Sequence, residues 1–209
     1  MRKFRQKYYD LFSRVYDQFI AMHASGREGV LKTTLAEKTG ASTGDRLLDI
    51  CTGTGSLLTY LSEEVGENGT VVGVDFSIGM LRAAKTKTAG CVNIHLVQAD
   101  VARLPFKPNV FDAATCAHAF YELKGDSQDA CLRGVRNALK SGKPFLMMEH
   151  DVPRNPVVRF LFYIRLISMG MSKAIQILTR EREMLLRYFH SVDKHQTASG
   201  RSKIMVCKT

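Results

Sequence analysis

Short apolar runs alternate with amphipathic stretches from residue 45 onward, and this alternation is the main structural signal in the chain. Each of five runs is continuously apolar, as in strands that are covered on both faces of a sheet. The five runs are Arg46–Cys51, Thr70–Asp75, Asn93–Gln98, Phe111–Cys116 and Pro144–Glu149. Segments of helical periodicity lie between them, at Ser56–Val65, Ile78–Ala89 and Asp126–Lys140. Strands that alternate with helices are typical of a parallel α/β sheet.

The two flanks of this centre follow different patterns. Residues 4–38 and 157–189 are predicted to be helical, the second with a break near Gly170. Val192–Ala198 and Lys203–Lys208 flank a Ser199-Gly200 turn, which predicts a hairpin. The expected fold is therefore α/β: a doubly wound, mostly parallel, seven-stranded Rossmann-like sheet with an antiparallel C-terminal edge hairpin.

Composition narrows the class of protein. A chain of 209 residues with 45% hydrophobic and 24% charged residues fits one packed domain and excludes disordered and collagenous classes. The five cysteines are widely spaced, without a C-x-x-C pair, so neither a disulfide framework nor a metal site nor a set of converging thiols is expected. Because the sequence shows no signal peptide and no long apolar span, the expected location is the cytoplasm. Peripheral contact with a membrane surface is compatible with this location.

The net charge of +10 is concentrated at the two ends of the chain. Residues 1–46 and 150–209 carry the whole excess of basic side chains, while residues 47–149 are close to neutral. A basic surface attracts nucleic acid, acidic lipid headgroups or phosphorylated compounds, although a solvated surface explains it equally well.

A glycine-rich turn follows the first predicted strand. Gly53 and Gly55 allow a ligand to approach the backbone, and the next helix offers unpaired N–H groups there. Asp75 ends the second strand, where an acid can accept hydrogen bonds from both hydroxyls of a ribose. A plain tight turn is one alternative. A nicotinamide-type fingerprint is another, but it needs a small residue where the chain has Leu58, and Asp49 would repel a pyrophosphate.

Residues 45–150 resemble the class I S-adenosylmethionine-dependent methyltransferases in motif order and spacing. The resemblance is carried by Leu48–Gly55, Gly73–Ser77 with Met80-Leu81, Gln98–Val101 with Leu104–Phe106, Phe111–Ala113 and Leu139–Lys143. Within that class the chain is most similar to the ubiquinone and menaquinone biosynthesis group, in which a glycine is commoner at the position of Cys51. Tyr9–Asp17 is similar to the aromatic N-terminal lid of that group.

The resemblance implies S-adenosyl-L-methionine as the cofactor, with Asp75 on the ribose, Asp100 on the adenine amine and Val101 near the ring. The full set of implied cofactor contacts is Tyr16, Asp49, Cys51, Thr52, Gly53, Gly55, Asp75, Phe76, Met80, Asp100, Val101 and Cys116. The resemblance also divides the single domain 1–209 into a helical lid (1–44), a cofactor-binding core (45–150), substrate-cap helices (151–190) and the edge hairpin (191–209).

Methyl transfer from a sulfonium needs positioning, desolvation and in some cases removal of a proton. His118 and Tyr121, after the fourth strand, are the candidate catalytic residues, and structural or cofactor-contact roles are the alternatives for both. Glu149 and His150 follow the fifth strand and are further candidate proton acceptors.

The leading hypothesis is methylation of a small lipophilic acceptor such as a quinone precursor. A phospholipid headgroup N-methyltransferase is the first alternative, and a nucleic-acid-binding protein or a non-catalytic cofactor-binding subunit are further ones. Nucleic acid is disfavoured as a partner because the chain lacks the Asn/Asp-Pro-Pro-aromatic motif and has no room for a separate RNA-binding module. The apolar stretch 156–167, with Arg154 and Arg165 on one side, is either a core helix or a lid that contacts an amphiphile or a membrane.

Overall fold

The computed structural model describes residues 28–123, 126–152, 181–197 and 202–209, together with helical positions 156, 159, 160 and 164. The helices are α1 (Glu28–Glu37), α2 (Leu58–Val65), α3 (Ile78–Lys87) and α4 (Asp126–Ala138), with 3-10 turns at Val101–Arg103 and Phe120–Glu122 and further helical residues at 181–186. The strands are β1 (Arg46–Ile50), β2 (Thr70–Asp75), β3 (Ile94–Gln98), β4 (Ala113–Ala117), β5 (Pro144–His150), β6 (Ser191–Gln196) and β7 (Ser202–Lys208).

The strands form one sheet in the order β3-β2-β1-β4-β5-β7-β6. The first five strands pair with one another in parallel, and β7 runs antiparallel to both β5 and β6. The doubly wound sheet with an antiparallel edge hairpin is thus confirmed. The strand order reverses between β1 and β4, and in sheets of this type ligands bind at the carboxyl ends of the strands on either side of that reversal.

Successive side chains of a strand face opposite sides of the sheet, and two apolar clusters follow from this alternation. One cluster, which includes Leu48, Ala114 and Phe145, packs against α4. The other, which includes Leu47 and Leu146, packs against α1 and α2. Covering both faces buries the central strands almost completely, as their continuous apolar runs predict.

The third strand departs from the expected burial on both faces. Within β3, His95 and Gln98 are exposed and the other residues are half-buried. The reason is position, because β3 lies at the edge of the sheet with β2 as its one neighbour. Residues 1–27 of the predicted lid, with Tyr9 and Tyr16, and the predicted break near Gly170 lie outside the described residues.

Candidate functional site

The turn after β1 has two glycines, and the structure requires glycine at the two positions for different reasons. Both have positive φ, 55° at Gly53 and 74° at Gly55. A Cβ atom at Gly55 would lie 2.8 Å from the Cβ of Ala84, so α3 packs directly on the loop at that point. A Cβ atom at Gly53 would meet nothing within 4 Å, so the space above this residue is open. Gly55 is required by packing, whereas Gly53 leaves room for a ligand.

Gly53→Ala should weaken binding of S-adenosylhomocysteine, the product form of the cofactor that the sequence resemblance implies, because the added methyl group enters the open space. Gly40→Ala is a matched control, since Gly40 has φ of 62° and equally open surroundings but lies away from the loop. Both variants should lose about 1–2 kcal/mol of folding stability from the left-handed backbone. Calorimetric titration of both proteins checks this, and equal affinities for the ligand would mean that the loop is structural only.

Asp75 ties the end of β2 to the glycine loop. Its carboxylate accepts hydrogen bonds from the backbone N–H groups of Gly53 and Ser77, each at 2.9 Å. Burial raises the pKa of Asp75, and the backbone donors counteract this in part. The backbone N–H of Phe76 is a third donor. A carboxylate has about four lone-pair sites, so Asp75 retains capacity for a ligand hydroxyl while it holds the loop in place.

Asp49 links the loop to β4 beneath this point. Its buried carboxylate accepts hydrogen bonds from the hydroxyls of Thr52 at 2.6 Å and Thr115 at 2.7 Å. Burial raises the pKa of Asp49 to about 6, against the lowering effect of the two hydroxyl donors. Lys87 links the glycine loop to α3 through its ammonium, which donates hydrogen bonds to the hydroxyls of Thr54 and Ser56. The sequence did not suggest this link.

Asp100 stands at the carboxyl end of β3, beside Asp75. The backbone N–H of Ala99 donates to the carbonyl of Asp75 at 3.0 Å, which brings the two acids' segments together. The Asp100 carboxylate accepts from the N–H of Ala102 and caps the 3-10 turn, in which Val101 is buried. Of the other residues proposed to contact the cofactor, Phe76 and Cys51 are half-buried, Met80 and Cys116 are buried, and Tyr16 lies outside the described residues.

His118 follows β4 in a left-handed conformation, with φ of 52°. Its ring packs against that of His150 with the centroids 4.6 Å apart and the ring planes tilted by 34°, and its Nδ1 atom is buried without a hydrogen-bond partner among the described residues. Burial, with smaller contributions from His150 and Lys32, lowers the pKa of His118 to about 3. The ring is therefore neutral at physiological pH and is a weak proton acceptor.

Tyr121 belongs to a buried polar group that sequence reasoning missed, which we call the Lys203 cluster: Tyr121, Glu181 and Lys203. The Tyr121 hydroxyl donates to the Glu181 carboxylate, and the Lys203 ammonium pairs with the same carboxylate. Lys203 is only 1% exposed and lies 5.9 Å from the centroid of the Tyr121 ring. Burial and the neighbouring carboxylates raise the pKa of Tyr121, which favours the phenol as a donor over proton acceptance.

Glu149 anchors the segment between β4 and α4. Its fully buried carboxylate accepts hydrogen bonds from the N–H groups of Phe120, at 2.8 Å, and Tyr121. Burial, with smaller contributions from the charges of Glu122 and Glu181, raises the pKa of Glu149 from 4.5 to about 8 against the lowering effect of the two backbone donors. No local motif marks this role, because its partners are backbone atoms of another segment.

The raised pKa of Glu149 predicts a loss of stability at alkaline pH. Between the unfolded value of 4.5 and the folded value of about 8, the folded state binds more protons than the unfolded state, so stability falls as pH rises. Between pH 7 and pH 8 this loss should be about 1 kcal/mol, and Glu149→Gln should remove it while keeping an acceptor oxygen. Urea unfolding at both pH values measures the loss. An equal change in the free energy of unfolding between pH 7 and pH 8 in the wild type and in Glu149→Gln would contradict the assignment.

Comparisons with known proteins bear on this site. A family model described as a methyltransferase domain matches residues 47–142. The chain is 32% identical to a 2-phytyl-1,4-naphtoquinone methyltransferase of Nostoc punctiforme, over 74% of this chain and 67% of that protein. It is 31% identical to a demethylmenaquinone methyltransferase of Staphylococcus aureus, over 72% of this chain and 61% of that protein. The chain thus spans about two thirds of the length of these relatives.

The fold is similar to that of a SAM-dependent methyltransferase from Aquifex aeolicus of known structure. The TM-score is 0.61 with 18% identity, covering 85% of this chain and 88% of the other. The likeness extends beyond the segment matched by the family model, and it supports the sheet topology described above.

Proposed function

The chain belongs to the S-adenosyl-L-methionine-dependent methyltransferases, and from this premise we propose that it methylates a small lipophilic acceptor such as a quinone precursor. The observation that carries the proposal is the coupling of Asp75 to the loop at Gly53, beside open space. The names of the curated relatives, which are quinone methyltransferases, support the acceptor class.

The described residues fit the cofactor. We propose that Gly53 makes room for its methionine portion, that Asp75 accepts from a ribose hydroxyl, and that Asp100 with the buried Val101 faces the adenine. When bound, the cofactor supplies a methyl group already activated on a sulfonium. The protein then has to orient the acceptor and exclude water.

His118 is proposed to orient the acceptor. A neutral imidazole carries one nitrogen that accepts and one that donates a hydrogen bond, and the buried Nδ1 has such capacity unused. A hydroxyl of the acceptor would satisfy it. Tyr121 is proposed to act through Glu181, by holding the residues after β4 against the helical residues 181–186.

Replacing His118 with phenylalanine should lower kcat/KM by about 100-fold, the scale of lost orientation, and leave cofactor affinity nearly unchanged. His95→Phe is the control, because His95 is exposed on the edge strand β3. Steady-state kinetics together with calorimetry separate the two effects. Unchanged kcat/KM in His118→Phe would remove His118 from the acceptor site.

A membrane surface is the proposed place of contact with a lipophilic acceptor. Phe160 and Ile164 are 65% and 47% exposed and lie one helical turn apart, with the exposed Arg159 beside them. The net charge of +10 favours acidic lipid. Among the described residues no helix is long and apolar enough to span a membrane. Flotation with acidic and neutral vesicles tests the contact, and equal recovery with both would contradict it.

The function is tested by supplying methyl-labelled S-adenosyl-L-methionine with demethylated naphthoquinols and, separately, with phospholipid vesicles. Mass spectrometry of the extracts then identifies the labelled product. Label in the quinol supports the proposal, whereas label in a phospholipid headgroup would assign the alternative activity instead. Asp75→Ala is the negative control for transfer that does not depend on the site.

A further inference from the structure

Three cysteines that are far apart in the sequence come together next to the glycine loop. Cys51 follows β1, Cys116 lies in β4 and Cys131 lies in α4, and all three contribute to one apolar cluster. The wide spacing of the cysteines predicts no such convergence, because only the pairing of β1 with β4 and the packing of α4 bring them together. Within the described part of the chain, no group of three metal-ligating side chains is arranged to hold a metal ion.

Cys51 and Cys116 are placed as a pair that can form a disulfide. Both are free thiols that lie in or against the same apolar cluster. Asp49 lies opposite Thr115 in the parallel pairing of β1 and β4, so Ile50 comes opposite Cys116 and Cys51 is one residue further along. With a strand spacing of about 4.8 Å and about 3.8 Å between consecutive Cα atoms, the Cα atoms of Cys51 and Cys116 are about 6 Å apart, which is within the range for disulfides. The left-handed backbone at Cys51 ends the alternation of the strand, so its side chain shares the face of Cys116.

The two thiols differ in access. Cys51 is half-buried and reaches the surface of the loop, whereas Cys116 is fully buried. Because Cys51 is the more accessible thiol, an oxidant meets it first. The neighbouring Cys51 thiol, together with burial, raises the pKa of the Cys116 thiol. Only the thiolate of Cys116 attacks the oxidised sulfur, so this step becomes faster as pH rises.

We propose that Cys51 and Cys116 are a redox-sensitive modification site that forms a reversible disulfide with hydrogen peroxide and thereby weakens cofactor binding. The Cys51 sulfur takes one oxygen from the peroxide and becomes a sulfenic acid, with release of water. Attack by the Cys116 sulfur then forms the S–S bond and releases a second water, so two thiols are oxidised and one peroxide is reduced. The effect on the cofactor rests on the proposed function, whereas disulfide formation does not.

The loop geometry explains why such a disulfide would affect binding. Cys51 is already in a left-handed conformation, with φ of 55°. The next residue, Thr52, donates its N–H to the carbonyl of Val74, and Gly53 donates to Asp75. An S–S bond of about 2.05 Å is far shorter than a contact between two free thiols. Closing it therefore pulls Cys51 toward β4 and displaces the backbone that holds Asp75.

The test compares wild-type protein with Cys51→Ser and Cys116→Ser, using Cys91→Ser as the matched control. Cys91 is half-buried like Cys51 but lies outside the cluster of the other three. Each protein is treated with hydrogen peroxide, blocked with a maleimide, digested and analysed by mass spectrometry. Binding of S-adenosylhomocysteine is measured by calorimetry before oxidation, after oxidation and after re-reduction with dithiothreitol.

We expect a linked Cys51–Cys116 peptide in the wild type and in Cys91→Ser, and about tenfold or greater loss of affinity that the reductant reverses. Neither Cys51→Ser nor Cys116→Ser should lose affinity for S-adenosylhomocysteine when it is oxidised. Absence of the linked peptide, or full affinity in the linked protein, would overturn the inference. Failure of the reduced wild type to bind S-adenosylhomocysteine would instead count against the proposed function, which keeps the two failures distinct.

Discussion

Replacing Asp75 with alanine should weaken S-adenosylhomocysteine binding by about 2–4 kcal/mol, the scale of two lost charge-assisted hydrogen bonds. The variant removes the proposed partner of the ribose hydroxyls. It also leaves the N–H groups of Gly53 and Ser77 without the acceptor that they use now. Calorimetric titration at a temperature where ligand-free wild type and variant are both folded measures the affinity loss directly.

Two further variants separate binding from folding in this experiment. Asp193→Ala removes the same charge from the exposed side of β6 and should bind normally. Asp75→Asn keeps one acceptor oxygen and should lose less affinity than Asp75→Ala. If Asp75→Ala stays folded and binds as tightly as the wild type, Asp75 does not contact the ribose and serves only to hold the loop.

Replacing Lys203 with methionine should lower the free energy of unfolding by about 3–5 kcal/mol, because it leaves the buried Glu181 carboxylate without its cation. The wild-type pair is almost completely removed from water, with Lys203 1% and Glu181 5% exposed. Urea unfolding at neutral pH checks the size of the loss. The double variant Lys203→Met with Glu181→Gln should recover much of it, since no unpaired charge is then buried.

Lys194→Met is the comparison for a charge pair whose cation is exposed. Lys194 pairs with the buried Asp151 at 2.7 Å, but its own side chain is 45% exposed. Because Gln196 and the backbone N–H of Val152 still donate to Asp151 after the change, the removal should cost less, about 1–3 kcal/mol. Similar losses in Lys203→Met and Lys194→Met would show that burial does not govern the strength of the Lys203 cluster.

The fold was largely predictable because it follows from local patterns. Continuous apolar runs predicted the five parallel strands, and β2 has the predicted bounds, Thr70–Asp75. The fourth strand was predicted from Phe111 but begins at Ala113. Phe111 is apolar like a strand residue, yet it forms only an isolated bridge to Leu139, and Asp112 instead accepts from Lys140 and the backbone of Arg46. Residue type alone does not distinguish these two environments.

The candidate site was predictable where one short segment carries the function. The glycine loop, Asp75 and Asp100 each end a strand or begin a helix, so their placement follows once the parallel sheet is recognised. The comparisons confirm the family and the cofactor that this pattern suggested. The roles of the individual site residues are proposals, and the variants above test those of Gly53, Asp75 and His118.

The sequence by itself determined the strands of the sheet, the parallel direction of the first five and the carboxyl edge at which the site is built. It did so because apolar periodicity and turn residues act over a few positions. Only the tertiary structure decided which distant polar groups meet. Lys203 and Glu149 lie opposite each other in the antiparallel pairing of β5 with β7, and Glu181 reaches Lys203 from another segment. Cys51 and Cys116 likewise meet through the pairing of β1 with β4. Such contacts depend on register and packing between segments far apart in the chain, and burial then sets the charge state of the groups that meet.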